Sequence, residues 1–233
     1  MPERTLKYDS IFNSISGELG GFRQGEFVTF LRLNGCNLRC SYCDAQNTWD
    51  ANKGTVATAS QLASLLRGFK KILITGGEPL TQQFGLLQTL RTLRHFNQNV
   101  LFQIETNGTI LPCADLFALI NYWVFDFKFG ERNIFTTDPN NARDMLDVAP
   151  QQVFIKFVAQ TEAQLHEAVS AIGYFKNRYS AYPIVYAISP VVGYGFDHHF
   201  VYQFIQKELG PTTDVIFNTQ LHKLIDPRGS LIL

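Results

Sequence analysis

Short apolar runs alternate with longer amphipathic stretches along the whole chain. The runs at 27–33, 71–75, 100–105, 123–128, 153–158, 184–188 and 214–218 are rich in β-branched and aromatic residues. That is the pattern of strands buried on both faces. Between them, 59–68, 82–96, 113–122, 162–179 and 197–209 read as helices. Strand–helix alternation implies parallel pairing. Six or seven such units fall short of the eight in a closed barrel. The pattern therefore predicts an α/β fold, an incomplete (β/α) barrel of about six parallel strands, as one domain over 1–233. The polar, Asn- and Asp-rich segment 130–150 reads as a mobile excursion near the site.

The unusual residues follow the strands. Cys36–Cys43 come after the first run, Gly76-Gly77-Glu78-Pro79 after the second, Thr106-Asn107-Gly108 after the third and Gln220-Leu221-His222-Lys223 after the last. Ligands of parallel α/β folds bind beyond the carboxyl ends of strands, so these segments are expected to share one mouth.

Composition narrows the classes. Hydrophobic residues make up 45% and charged residues 17%, enough for a substantial core, and the 20 Phe predict aromatic walls within it. Lys+Arg and Asp+Glu are both 20, which disfavours a general grip on nucleic acid or an anionic membrane. The start, Met1-Pro2-Glu3-Arg4, lacks a signal peptide's apolar run, and no stretch approaches the ~20 apolar residues of a membrane span. A soluble, cytoplasmic protein is expected.

Three of the four cysteines lie in Gly35-Cys36-Asn37-Leu38-Arg39-Cys40-Ser41-Tyr42-Cys43, a C-x3-C-x2-C spacing. Thiolates this close on a loop can face one soft metal centre. Three protein ligands on a four-iron cubane leave one iron open to a ligand. Structural zinc sites instead use four ligands in paired arrangements, and no second pair accompanies this loop. Cys113 stands alone and reads as a small buried hydrophobe.

With its aromatic Tyr42 before the last cysteine, this motif resembles that of radical S-adenosylmethionine (SAM) enzymes. The resemblance implies a [4Fe–4S] cluster on Cys36, Cys40 and Cys43 whose open iron chelates SAM, which is cleaved to a hydrogen-abstracting radical. Gly76, Gly77 and Glu78 then look like the superfamily's GGE motif at the methionyl amine. Glu105 and Asn107 of Glu105-Thr106-Asn107-Gly108 are similar to a segment that contacts the SAM ribose. Lys128 is a candidate partner for a carboxylate.

The flanks narrow the resemblance. Ile11-Phe12-Asn13-Ser14-Ile15-Ser16-Gly17-Glu18, Phe30-Leu31-Arg32-Leu33-Asn34-Gly35, Thr48-Trp49-Asp50 and Thr219-Gln220-Leu221-His222-Lys223 together resemble the 7-carboxy-7-deazaguanine synthase family of queuosine biosynthesis, over nearly the whole chain. That implies radical ring contraction of 6-carboxy-5,6,7,8-tetrahydropterin with loss of ammonia, Mg²⁺ as an aid, a flavodoxin-like electron donor and a homodimer. It implies Glu18 as acceptor for the pterin's guanidine-like edge, and Arg32 and His222 as partners of the substrate carboxylate. The chain departs from the family pattern at Ser16-Gly17-Glu18-Leu19, at Asp126-Phe127-Lys128 and at Cys43-Asp44-Ala45, where the usual threonine that helps hold Mg²⁺ is absent. Either the metal leans on Asp44, or it is weakly bound or dispensed with. An activase that generates a glycyl radical on a partner enzyme shares the cysteine motif, the GGEP segment and an Asp-x-Lys pattern. The same residues are also compatible with a related enzyme of altered substrate and with a non-catalytic metal-binding module.

Overall fold

The computed structural model describes residues 2–129, 144, 153–180, 184–191 and 197–225. The segment 130–150 lies outside the described residues, Asp144 excepted.

One sheet organises the chain. Its strands are β1 (Thr5–Ile15), β2 (Phe27–Leu33), β3 (Thr55–Thr58), β4 (Lys71–Gly76), β5 (Leu101–Thr106), β6 (Tyr122–Lys128), β7 (Val153–Ala159), β8 (Val185–Pro190) and β9 (Ile216–Phe217), in the order β3-β1-β2-β4-β5-β6-β7-β8-β9. From β2 to β9 every neighbouring pair is parallel, whereas β1 runs antiparallel to both β2 and β3. The sheet is open, with β3 and β9 as edges. All seven expected strands are present and parallel, where the barrel expectation was about six, and the antiparallel pair β1 and β3 is an addition.

Among the described residues the helices with defined bounds are α1 (Ala59–Leu66), α2 (Gln83–Phe96), α3 (Ala114–Leu119), α4 (Glu162–Arg178), α5 (His198–Leu209) and α6 (Leu221–Ile225). The sequence marks several starts. Thr58 accepts from Gln61 N while the Gln61 side chain accepts from Thr58 N, a reciprocal cap of α1, and Thr161 and Asp197 cap α4 and α5. α3 is shorter than the expected 113–122 because β6 already begins at Tyr122.

Strand residues alternate between two destinations. Ile74, Ile104, Trp123, Phe125, Phe127, Ile155 and Phe157 join the buried faces of the helices in the main core. Their sequence neighbours point to the other face, which is covered near the strand starts by a small cluster of Phe22, Val28 and Leu73. Phe22 comes from the β1–β2 connection, where its backbone N–H donates to the buried Gln103 side chain at 3.0 Å. Cys113 is half-buried against the main core. Among the described residues, no helix is long and apolar enough to cross a membrane.

Candidate active site

A cleft of about 720 Å³ opens at the carboxyl ends of the parallel strands. The residues that alternate with the core residues, Arg32 on β2, Thr75 on β4, Glu105 on β5, Asp126 and Lys128 on β6 and Lys156 on β7, line it. β1 closes one side. A bulge between Tyr8 and Ser10 shifts its register against β2, and both Asp9 and Ser10 line the cleft, followed by Phe12. The Phe12 ring stacks on Phe30 at 4.9 Å and carries the Arg32 guanidinium at 5.7 Å.

Cys36, Cys40 and Cys43 line the same cleft as free, half-buried thiols, with Tyr42 beside them. Their loop is pinned by backbone bonds from Gly35 N to Thr48 O (2.7 Å) and from Cys36 N to Trp49 O (3.2 Å). Arg39 donates to Cys36 O and Leu38 O, both at 2.7 Å, and lies over the Trp49 ring. Burial pushes the Cys36 and Cys40 thiols up, and the charges of the neighbouring cysteines add to that. Thiolates crowded in this way call for a positive centre between them, which an iron–sulfur cluster supplies. The donor set, three thiols within electrostatic reach of one another on one cleft wall, fits the three-cysteine cluster.

The turn after β4 docks on that loop without side chains between. Gly77 N donates to Leu33 O at 2.9 Å and Glu78 N to Gly35 O at 2.8 Å. Gly76 has φ +130°, and a Cβ there would lie 2.1 Å from Leu33 O; a Cβ on Gly77 would lie 2.1 Å from Gly35 O. Both glycines line the cleft. Glu78 instead is fully buried behind it, accepting from Leu80 N (3.0 Å), Thr106 Oγ1 (2.8 Å) and Asn107 N (2.8 Å). Burial raises its carboxyl despite these donors. Its observed role is to tie the β4 turn to the β5 turn.

At the β5 turn, Glu105 and Asn107 both line the cleft. Burial, reinforced by Asp126, pushes the Glu105 carboxyl up to about 8. The Asn107 carboxamide is engaged locally: Nδ2 donates to Asn37 Oδ1 at 3.1 Å, and Oδ1 accepts from Thr109 N and Oγ1. This bridge links the cysteine loop to the β5 turn.

Across the cleft runs a row of alternating charges, Glu18–Lys156–Asp126–Lys128. Lys156 pairs with Glu18 and lies 2.9 Å from Asp126, which in turn pairs with Lys128 at 3.1 Å. Burial and the nearby Lys223 pull the Lys156 ammonium down to about 7, while the two carboxylates at its Nζ oppose that fall. For Lys128 burial works against the charge, but Asp126 outweighs it and holds the ammonium above its ordinary range. Glu18 also accepts from Gln220 Nε2 at 2.6 Å.

The segment beginning α6 completes the rim. Leu221 N donates to Gly17 O at 2.9 Å, and His222 packs so closely that a Cβ on Gly17 would lie 2.0 Å from its Nδ1. Burial, then Lys223, lowers the His222 imidazole below its ordinary range, so it is neutral at pH 7. Lys223 pairs with Asp44 at 2.9 Å. Burial works to raise the Asp44 carboxyl, but Lys223 prevails and holds it below the usual carboxylate range. Among the described residues, no three His, Cys, Asp or Glu side chains converge closely enough to hold a single metal ion.

Every expected site residue except Glu78 therefore lines this one cleft. Sequence reasoning missed Lys156, and treated Asp126 and Gln220 only as parts of motifs. A signal for Lys156 was present: one lysine inside Val-Phe-Ile-Lys-Phe-Val-Ala, an otherwise apolar strand.

Comparison with known proteins agrees with the geometry. The family described as "4Fe-4S single cluster domain" matches residues 20–126. The 7-carboxy-7-deazaguanine synthase of Clostridium acetobutylicum is 31% identical over 92% of this chain and 93% of its own length. The synthase of Methanospirillum hungatei is 31% identical over 94% of this chain and 85% of its own. Among solved structures, the crystal structure of QueE from Escherichia coli shares the fold, with a TM-score of 0.65 at 19% identity over 93% of this chain and 94% of that one. The chain belongs to the 7-carboxy-7-deazaguanine synthase family.

Proposed function

We propose that the protein converts 6-carboxy-5,6,7,8-tetrahydropterin to 7-carboxy-7-deazaguanine. The observation that carries this is the convergence of the cysteine loop with Glu18, Arg32 and His222 in one cleft. Cys36, Cys40 and Cys43 hold the [4Fe–4S] cluster, and Gly76 and Gly77, where a Cβ cannot fit, bring bare backbone to SAM. Tyr42, Glu105, Asn107 and Lys128 complete the cofactor wall, Glu78 acting from behind it. The chemistry this pair supplies when bound is reductive cleavage of SAM to a radical that removes a hydrogen atom from the substrate.

The chain's own residues fix where that happens. Glu18, held by Lys156 and Gln220, accepts from the donor edge of the pterin. Arg32, steadied by Phe12, holds the substrate carboxylate through paired charge-assisted bonds. A neutral His222 donates an N–H to the same carboxylate. Glu105, protonated at pH 7, presents an O–H where an ionised carboxylate would repel Asp126.

The Mg²⁺ site implied by the resemblance falls on Asp44. That carboxylate is engaged by Lys223 and Gln220, and the next residue, Ala45, is buried and offers no side-chain oxygen, while its carbonyl accepts from Thr48 N and Oγ1. This donor set does not fit the ion.

The one continuous sheet supports a single radical SAM domain over 1–233. We read the protein as a cytoplasmic homodimer served by a flavodoxin-like donor, a reading that rests on the resemblance. The deciding experiment is anaerobic incubation of the reconstituted protein with SAM, reductant and carboxytetrahydropterin. Formation of 7-carboxy-7-deazaguanine without a partner protein is the expected result. SAM cleavage with no deazaguanine product overturns the proposal.

A further inference from the structure

Lys156 is a buried cation in an apolar strand, and the resemblance gives it no role. Its side chain is 4% exposed, yet it lines the cleft and pairs with two other cleft residues, Glu18 and Asp126. Burying a lysine demands such partners, and an apolar residue would serve packing alone equally well.

We infer that Lys156 is a specificity-determining residue that donates to the 4-oxo group of the pterin beside Glu18. This deepens the reaction proposed above and rests on it. A 2-amino-4-oxopyrimidine edge presents two donors, the 2-amino group and N3–H, followed by one acceptor, O4. Glu18 supplies acceptors for the first two, since each carboxylate oxygen accepts more than one bond. The ammonium beside it has three donors; Glu18 takes one, Asp126 is an ion-pair partner 2.9 Å away, and a remaining N–H serves O4. Glu18 and Lys156 together thus match the order acceptor, acceptor, donor that this edge requires. A 4-amino group in place of O4 turns a donor toward the ammonium and leaves the Lys156 N–H without a partner. Sites built around such a bond reject the wrong group strongly. The edge is also unchanged between pterin and deazaguanine, so the contact is uniform binding and acts on KM rather than kcat.

The test is anaerobic calorimetry of the reconstituted protein with SAM, titrating 6-carboxytetrahydropterin and its 4-amino-4-deoxy analogue. Wild type should prefer the 4-oxo compound by about 100-fold or more. In Lys156→Met that preference should fall below about 10-fold. Reductive SAM cleavage should persist, and the turnover loss should fall mainly on KM. Lys156→Gln keeps an N–H donor without the charge; it should be intermediate, and it carries the comparison where the Met variant fails to load iron. Equal affinity of wild type for the two compounds, or undiminished discrimination in both variants, overturns the assignment. Failure of the proposed reaction itself has a different signature: wild type then binds neither compound.

Discussion

Gly77→Ala tests how the cysteine loop is held. The added Cβ would lie 2.1 Å from Gly35 O and 3.0 Å from Cys36 N. A close C···O contact is about 3.3–3.6 Å, so the loop must retreat by more than 1 Å. The obstacle is backbone, which has no alternative rotamer. Retreat breaks the bonds from Gly77 N to Leu33 O and from Glu78 N to Gly35 O, each worth about 1 kcal/mol. Overpacking adds about 1–3 kcal/mol, for a total of roughly 3–5 kcal/mol. At this chain length 1 kcal/mol moves Tm by about 2–4 °C, so a fall of at least roughly 6 °C is expected. Gly173→Ala is the control. That residue lies inside α4 with nothing within 4 Å of an added Cβ. The same methyl should there stabilise by about 0.5–1 kcal/mol. Anaerobic calorimetry with iron quantitation on both variants is the assay. Gly77→Ala with an unchanged Tm and full iron content would refute the docking argument, as would a fall of equal size in Gly173→Ala.

Arg32→Ala should retain reductive SAM cleavage yet lose pterin turnover by about 100-fold, the equivalent of roughly 3 kcal/mol for a lost charge-assisted pair; normal turnover removes Arg32 from the carboxylate clamp. Glu105 has a folded pKa of about 8, above its unfolded value, so its contribution to stability is present at about pH 4.5 and is lost as pH rises to about 8. Glu105→Gln, measured by calorimetry on cluster-loaded protein without SAM, should therefore gain on wild type as pH rises through that window, and parallel curves would contradict the buried-carboxyl reading. Turnover should be indifferent to EDTA and to added Mg²⁺, because Lys223 engages Asp44 and Ala45 adds no side-chain oxygen. A several-fold Mg²⁺ stimulation would restore the ion to the site.

The sequence disclosed whatever obeyed a single period or a single motif. All seven parallel strands are mostly apolar runs, and they stand where the runs stand. β1 escaped because its residues follow no one rule. Leu6 is buried, but Asp9, Ser10 and Asn13 break the run, and the bulge shifts which residues face the sheet. β3 is only Thr55–Thr58, with two exposed residues. At the site, the cysteine loop and the strand-end motifs were legible because close spacing puts chemistry on one turn. The Lys156–Glu18 pair was not, since it joins positions 138 residues apart and only the sheet register brings β7 beside Asp126 on β6. Glu78 shows the reverse: the motif marked it correctly as special, but its oxygens face Thr106 and Asn107 rather than the cleft.

The row Glu18–Lys156–Asp126–Lys128 is hard to explain as a device for stability. Removing one member of a buried ion pair costs about 3–5 kcal/mol, yet replacing the whole set by apolar side chains is often neutral or favourable. Selection for stability alone would therefore not retain it. The same two strands show what apolar packing achieves: on their other face Trp123, Phe125, Phe127, Ile155 and Phe157 are each 0% exposed. β6 and β7 thus carry an apolar face toward the helices and a charged face toward the cleft. Only the first is needed to hold the sheet together, which leaves the second to be explained by what enters the cleft. A zwitterionic cofactor and an anionic heterocycle with a fixed donor–acceptor edge are ligands for which a fixed, alternating set of charges is useful.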